Sequence, residues 1–178
     1  GESWEVSAVP GSVSVVEDGP LAGQSLNELL TADPVGLLGQ AVYEKFGPNF
    51  PLLIKFIDAA ADLSIQVHPD DEYALEVEGE YGKNEMWYIV DAGKDAFIYC
   101  GFVKEVSRED VEERIRTNTI LDILNKVPVK KGEVYFIPAG TVHAIGDGLL
   151  VCEVQQSSSC TYRLYDYNRK DRFGNYRE

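Results

Sequence analysis

The sequence contains only two histidines, and each follows a run of residues with the composition of a β-strand. His68 ends the run LSIQVH, and His143 ends the run VYFIPAGTVH. A carboxylate, Glu85, lies between them in the run GKNEMWYIV. Neutral imidazole binds divalent cations well at neutral pH, and carboxylate oxygens do so too. These residue types raise the question of a metal site.

Strand parity places the candidate donors on shared faces. Successive side chains of a strand point to opposite faces, so Ser64, Gln66 and His68 share one face. By the same rule Lys83 and Glu85 share a face of another strand. Two such faces line one cavity if the strands close into a barrel. The alternative is a half-exposed sheet whose polar face contacts water, since histidines often lie at the surface.

Turn-forming residues precede the second histidine. Gly132 opens the strand before it, and Pro138 with Gly140 predicts a tight turn. We expect this turn to aim the next strand so that His143 points inward. The spacing from Gly132 to Asp147 resembles the second conserved box of the cupin superfamily, which usually has Asn in place of Asp147.

The first cupin box normally reads His-x-His with a Glu a few residues on. This chain has Gln66-x-His68 instead and reaches Glu85 only after an insert. That departure resembles one branch, the type I phosphomannose isomerases. Residues 1–8 (GESWEVSA) fit that family. Four further segments resemble it in the family's order: LSIQVHPDD (63–71), GKNEMWYI (82–89), VYFIPAGTVHAIG (134–146) and EVQQSSSCTYRLYD (153–166).

The resemblance implies one zinc ion per chain. In the family Gln, His, Glu and His hold the ion, and the matching residues are Gln66, His68, Glu85 and His143. Gln66 is the weakest of these ligands, and its alternative role is to orient another ligand. The histidines and the glutamate alone would also suit iron, manganese or nickel, so zinc itself rests on the resemblance.

The implied reaction is the interconversion of mannose 6-phosphate and fructose 6-phosphate through a cis-enediol. A metal ion polarises the substrate carbonyl, and a base moves the proton between C2 and C1. Both histidines are used as ligands, so the base must be a carboxylate, a lysine, a tyrosine or a metal-bound water. Strand parity offers Glu153 as a candidate.

Four residues are candidates for substrate binding or charge stabilisation. In the family an arginine that matches Arg163 is catalytic or lies near the phosphate, and a lysine that matches Lys83 lies beside the glutamate ligand. We expect Arg163 to stabilise the enediolate, and Lys55, Ser64 and Lys83 to surround the phosphate. Taken alone, Lys55 in an apolar run indicates an edge residue that reaches water. Arg163 has its own alternative, a salt bridge to Asp166 or Glu153.

Two other functions remain open at this point. One is a metal-binding cupin that binds or senses phosphosugars without turnover, and the other is an oxygenase cupin that uses iron. Three cations near one site, Lys55, Lys83 and Arg163, favour a phosphosugar over an oxygenase substrate.

Composition excludes several classes of partner. The chain has 178 residues and a net charge of −14, so nucleic acids and anionic membranes are not expected as primary partners. No apolar run is long enough to span a bilayer, and no signal peptide is apparent. Three cysteines without motif spacing predict a reduced, cytoplasmic protein.

The expected fold is all-β, a cupin jelly-roll barrel with helical insertions. We predict a single cupin catalytic domain over residues 1–178, with helical segments near 25–46 and 70–79 and an insert near 107–126. The insert's apolar stripe should be packing, with a break near Asn118. Residues 3–16 predict two short strands joined by a turn.

Family members usually begin before this chain's first segment and continue beyond its last. We therefore expect a catalytic domain from a longer protein or an unusually short member. Exposed strand edges and apolar surface near the C-terminus would then favour self-association, and turnover would be slow.

Overall fold

Two antiparallel sheets of five strands each dominate the computed structural model, which describes residues 1–177. In chain order the strands are β1 (Glu2–Val6), β2 (Leu52–Ala59), β3 (Ile65–Val67), β4 (Glu85–Ala92), β5 (Phe97–Phe102), β6 (Leu124–Pro128), β7 (Val134–Ile137), β8 (His143–Ile145), β9 (Leu149–Gln156) and β10 (Tyr162–Tyr165). The first sheet has the order β1-β2-β9-β4-β7, and the second has the order β10-β3-β8-β5-β6. The prediction of a mostly β fold with a few helices is confirmed.

Short helices connect some of the strands: α1 (Leu26–Ala32), α2 (Pro34–Leu38), α3 (Gln40–Phe46), α4 (Asp71–Val77), α5 (Arg108–Arg116) and a 3-10 turn (Ile120–Ile123). Ser25 and Glu28 begin α1 with a capping box, in which each side chain accepts a hydrogen bond from the other's backbone N–H. None of the helices in residues 1–177 is long and apolar enough to cross a membrane.

Two groups of buried apolar side chains fill the interior. The first draws on both sheets and includes Trp87, Ile98 and Val151, which are fully buried. The second covers the other side of the second sheet. Its apolar stripe comes from the insert after β5 and contains Val111, Ile115, Leu121 and Leu124. The stripe is therefore packing.

Residues 3–16 differ from the prediction, and the insert near 107–126 shows the expected break near Asn118. Within residues 3–16 only the first four residues belong to a strand, β1, and Val15 forms a single bridge with Ser25. The Ser14 N–H donates to the Ser7 carbonyl, and the Ser14 carbonyl accepts from the Leu26 N–H, so Ser14 does not join a second strand. The insert near 107–126 is helical only in part. Its helix stops at Arg116, and Asn118 adopts a left-handed φ of 57°. The chain then enters β6, which pairs with β5.

Candidate metal centre and substrate pocket

Both sheets contribute to the candidate metal centre. His68 follows β3 and His143 begins β8 in the second sheet, whereas Glu85 begins β4 in the first. All three side chains are buried. Nε2 of His68 lies 3.2 Å from Oε1 of Glu85, and Nε2 of His143 lies 3.4 Å from Oε2. One ligand atom from each residue lies within 4.8 Å of the other two.

These separations fit a metal ion. Two atoms at zinc-ligand distance from one tetrahedral ion lie about 3.3–3.4 Å apart. Oε2 of Glu85 and Nε2 of His143 are buried without a hydrogen-bond partner among residues 1–177, and Oε1 of Glu85 contacts the Lys83 ammonium at 2.7 Å. Leaving a buried polar atom unpaired costs about 1–3 kcal/mol. A cation at this point would pair with all three atoms at once.

Backbone carbonyls orient both imidazole rings. Nδ1 of His68 lies 2.9 Å from the Cys160 carbonyl, and Nδ1 of His143 lies 2.7 Å from the Thr141 carbonyl. A carbonyl oxygen only accepts, so we assign the proton to Nδ1 in each ring, which leaves the Nε2 lone pair for a metal. Burial lowers the pKa of His68 and favours the neutral form that a ligand needs.

Lys83 contacts the same atoms. Its Nζ lies 2.7 Å from Oε1 of Glu85 and 3.3 Å from Nε2 of His68. The pKa of Glu85 lies well below its usual range: burial alone would raise it, but the two histidines and the Lys83 cation outweigh that effect. Lys83 therefore joins the candidate metal centre to the neighbouring pocket, and a metal ion would compete with its ammonium group for Glu85.

A tight turn ties the two histidine-bearing segments together. The Thr141 N–H donates to the Pro138 carbonyl at 3.1 Å, and Gly140 has a φ of +84°, which side chains other than glycine rarely adopt. The Gly140 N–H donates to the His68 carbonyl at 2.8 Å. The turn predicted before His143 is confirmed, and His143 points inward.

Gly82 allows the segment before Glu85 to lie against the segment after His68. A Cβ atom at position 82 would lie 2.3 Å from the carbonyl carbon of Asp70 and 2.6 Å from the carbonyl oxygen of Pro69. We expect Gly82→Ala to displace Glu85, to cost about 1–3 kcal/mol in stability and to weaken metal binding about 10- to 100-fold.

The measurements for Gly82→Ala are metal titration and chemical denaturation. Gly79→Ala is the matched control, because a Cβ there meets nothing within 4 Å while its φ of +72° still imposes backbone strain. The control should lose stability but keep its metal affinity. Unchanged metal affinity in Gly82→Ala would contradict the positioning role.

A pocket of about 420 Å³ opens beside the metal candidates. Six of the nine predicted site residues line it: Lys55, Ser64, Gln66, Lys83, Glu153 and Arg163. Gln66 is half-buried and pairs in register with His143 across β3 and β8. The structure thus brings the predicted residues from β2, β9, β10 and the segments around β3 and β4 to one place.

Lys55 and Glu153 form a buried ion pair in this pocket. They face each other across β2 and β9, and Nζ lies 3.0 Å from Oε1 of Glu153. The other oxygen of Glu153 accepts from the Trp87 indole at 2.8 Å. Burial, with Glu85 nearby, raises the pKa of Glu153. Burial acts to lower the pKa of Lys55, but Glu153 outweighs it and the pKa is raised. Lys55 is not an edge residue that reaches water.

Arg163 is exposed at the pocket mouth. Its Nε donates to the Ser64 hydroxyl at 3.1 Å, and its Nη1 donates to the Arg177 carbonyl at 3.1 Å. Within residues 1–177 it has no salt bridge to either alternative partner: Glu153 pairs with Lys55, and Asp166 pairs with two other arginines.

Two pocket cations, Arg169 and Arg177, were not predicted from the sequence. Nη2 of Arg169 and Nε of Arg177 lie 2.6 and 2.8 Å from the fully buried carboxylate of Asp166. The tail returns to the pocket through a turn in which Asp171 accepts hydrogen bonds from the backbone N–H groups of residues 173 and 175. The D-x-x-G-N pattern of that turn was the available signal.

Residues 1–116 match the family model described as phosphomannose isomerase type I, catalytic domain. The chain is 46% identical over 171 residues to a mannose-6-phosphate isomerase of Streptococcus mutans, covering 96% of this chain and 52% of that protein. The crystal structure of the mannose 6-phosphate isomerase from Bacillus subtilis superposes with a TM-score of 0.90 and 42% identity, covering 100% of this chain and 55% of that one. The putative mannosephosphate isomerase of Archaeoglobus fulgidus gives 0.78 and 33%, covering 92% and 53%. The chain spans about half the length of the curated relatives that it matches along its whole length.

Proposed function

We propose that this chain interconverts mannose 6-phosphate and fructose 6-phosphate, because it belongs to the type I phosphomannose isomerases. The observation that carries the proposal is a pocket of about 420 Å³ lined by five cationic side chains, one of which, Lys83, also contacts the buried His-Glu-His cluster. We also propose that the chain folds as a cupin jelly-roll barrel, that it forms a single catalytic domain over residues 1–178 and that it is located in the cytoplasm.

We propose one zinc ion as the cofactor, held by His68, Glu85 and His143 with Gln66 as the fourth ligand. The ligand set suits zinc, and the ligand-atom separations support it. When bound, zinc would polarise the carbonyl oxygen of the sugar. The orientation of both rings by backbone carbonyls supports this assignment, since such contacts usually hold metal-binding histidines in place.

The phosphate group should bind among the pocket cations. A chain of net charge −14 concentrates five of its 16 basic residues here, against two acidic residues in the same wall. The five are Lys55, Lys83, Arg163, Arg169 and Arg177. We assign the phosphate to Lys55, Ser64, Lys83 and Arg163, as the family resemblance implies, and add Arg169 and Arg177. Asp166 holds both added guanidinium groups in place.

Glu153 is the proposed base. It would remove the proton from C2 of mannose 6-phosphate and return it to C1, while the hydroxyl proton of O2 moves to O1, and this yields fructose 6-phosphate. Its burial in the pocket wall and its raised pKa suit a group that must accept and release a proton. Arg163 would stabilise the negative charge that develops on the enediolate oxygen, and Lys83 would assist beside the metal.

Glu153→Gln is expected to lower kcat by about two to four powers of ten. The variant keeps an oxygen for Trp87 but cannot take a proton. Because kcat/KM depends on ionised Glu153, whose pKa is raised by burial and by Glu85, kcat/KM should rise with pH around a midpoint above the usual range of a glutamate. That rise should vanish in the variant. Glu2→Gln, which changes the other pocket carboxylate near Lys55, is the matched control. Equal kcat in Glu153→Gln and the unmutated chain would exclude Glu153 as the base.

A coupled assay on the zinc-loaded chain tests the function. We expect fructose 6-phosphate to form from mannose 6-phosphate and no reaction with unphosphorylated mannose. Saturable binding of mannose 6-phosphate without turnover would support a sensing cupin instead. A chain that neither binds nor converts the phosphosugar would refute the proposal.

A further inference from the structure

Trp87 is fully buried, and its indole contacts the proposed base. The register of β4 and β9 places Trp87 opposite Glu153, and its Nε1 donates to Oε2 of that carboxylate at 2.8 Å. Glu153 lines the pocket of about 420 Å³, whereas Trp87 is not among the lining residues in the described part of the chain. A sugar in this pocket would therefore contact the carboxylate and not the indole.

The same indole contacts a proposed metal ligand. Its ring lies edge-on to the imidazole of His143, with the ring centroids 5.5 Å apart and the ring planes at 72°. Such T-shaped contacts between aromatic rings are favourable and have a preferred geometry. Glu153 lies on β9 in the first sheet, and His143 lies on β8 in the second. Trp87 thus touches two groups of the proposed reaction that come from different sheets.

Two donors hold the Glu153 carboxylate from opposite sides. β9 lies between β2 and β4 in the first sheet. From β2, Nζ of Lys55 lies 3.0 Å from Oε1 of Glu153, and from β4 the Trp87 indole donates to Oε2. Without the indole N–H, the carboxylate would keep only the Lys55 contact and could turn toward that ammonium group. The indole therefore opposes a rotation that would change the place of the base.

We propose that Trp87 is a positioning residue that fixes the Glu153 carboxylate relative to the metal ligand His143. This inference rests on the proposed function, in which Glu153 is the base. An indole N–H donates but cannot accept, so it orients a carboxylate without competing for the proton that the base must take. A base must lie within hydrogen-bond reach of that proton, and small displacements of reacting groups lower the rate strongly.

The alternative is that Trp87 only fills the core. It packs among the apolar side chains of the first core group, and a buried tryptophan usually finds a partner for its N–H. The two roles differ in their consequences. Loss of packing would lower stability and act on every variant alike. Loss of positioning would lower kcat only where Glu153 is present to act as the base.

Steady-state kinetics of Trp87→Phe separates the two roles. The variant keeps an aromatic ring in the core but removes the N–H. We expect kcat to fall about 10- to 100-fold, the range for a hydrogen bond to a charged group, with little change in KM. In the Glu153→Gln background the same substitution should have no further effect on kcat. Tyr135→Phe is the matched control, because it removes a hydroxyl that packs on the same core and donates to Glu133, and kcat should not change.

NMR of the indole N–H groups tests the contact without turnover. The chain has two tryptophans, and the other one, Trp4, donates to Glu2 at 3.0 Å. Glu153→Gln should shift the Trp87 signal, because a neutral amide accepts more weakly than a carboxylate. Glu2→Gln is the control and should shift only the Trp4 signal. Both variants retain Trp87, so the measurement does not depend on the folding of Trp87→Phe.

An unmoved Trp87 signal in Glu153→Gln would overturn the inference. So would an unchanged kcat in Trp87→Phe, or an equal loss of kcat with and without Glu153. If Glu153→Gln still lowers kcat strongly in these cases, the proposed function stands and only the positioning role fails. An unchanged kcat in Glu153→Gln would instead refute Glu153 as the base, and the positioning role with it. Circular dichroism checks the fold of Trp87→Phe. If that variant does not fold, the benzothiophene analogue of tryptophan, which has sulfur in place of the N–H, replaces Trp87 with nearly the same volume.

Discussion

His143→Ala is expected to lose its metal and, with it, the proposed isomerase activity. His143 supplies one of the two imidazoles, and its buried Nε2 lies 3.4 Å from Glu85. Removing a group that only hydrogen-bonds to a metal ligand lowers metal affinity about 10- to 100-fold. Removing a ligand itself should therefore lower metal affinity at least about 100-fold. Two ligands from this chain's strong donors would remain, too few for a stable zinc site.

Elemental analysis after dialysis measures this effect, with one zinc per chain expected in the unmutated protein. Asp147→Asn is the control, because Asp147 is exposed four residues further along and should not affect the metal. Circular dichroism checks that His143→Ala still folds. Full retention of zinc by a folded His143→Ala chain would rule out His143 as a ligand.

Arg163→Lys should lose catalysis although the positive charge remains. The guanidinium group bonds to Ser64 through Nε and to the Arg177 carbonyl through Nη1, which directs its fork at the pocket mouth. A lysine ammonium cannot make both contacts and present a donor to the substrate in the same geometry. If Arg163 stabilises charge that develops in the transition state, kcat should fall about 100-fold or more.

Steady-state kinetics measures the effect, and the separate changes in kcat and KM distinguish two roles for Arg163. A fall in kcat with little change in KM indicates an interaction made in the transition state, whereas a rise in KM alone indicates phosphate binding. Arg108→Lys, an exposed arginine paired with Glu112 on α5, is the matched control. An unchanged kcat in Arg163→Lys would exclude the catalytic role and indicate that Arg163 is structural.

The inward direction of His68, Glu85 and His143 could be predicted because it depends on local rules. Alternation along a strand sets which neighbours share a face, and the Pro138–Gly140 turn sets where the next strand starts. Their meeting from two different sheets rested on the family resemblance, since strand order is not written in local pattern.

Ion pairs between residues that are far apart in the chain could not be predicted from the sequence. Lys55 meets Glu153 only because β2 and β9 are neighbours in a particular register, and a one-residue slip of β2 would turn the Lys55 side chain outward, away from Glu153. Asp166 binds Arg169 and Arg177 through its buried carboxylate; the D-x-x-G-N pattern indicates the turn in the tail but not this ion pairing. The end of α5, in contrast, could be anticipated, because the apolar stripe is expected to break near Asn118, where the backbone adopts a left-handed φ.

The candidate ligands come from both sheets, so metal supply should affect how much folded protein a cell contains. Glu85 belongs to the first sheet and both histidines to the second, so a metal ion shared by them would act as a cross-link between the sheets. A ligand present at about 100 times its dissociation constant stabilises the folded state by about 2.7 kcal/mol. A shortage of metal would then increase the unfolded fraction that proteases remove. Metal starvation would reduce the amount of the protein as well as the activity of each molecule, and supplementation would restore both together.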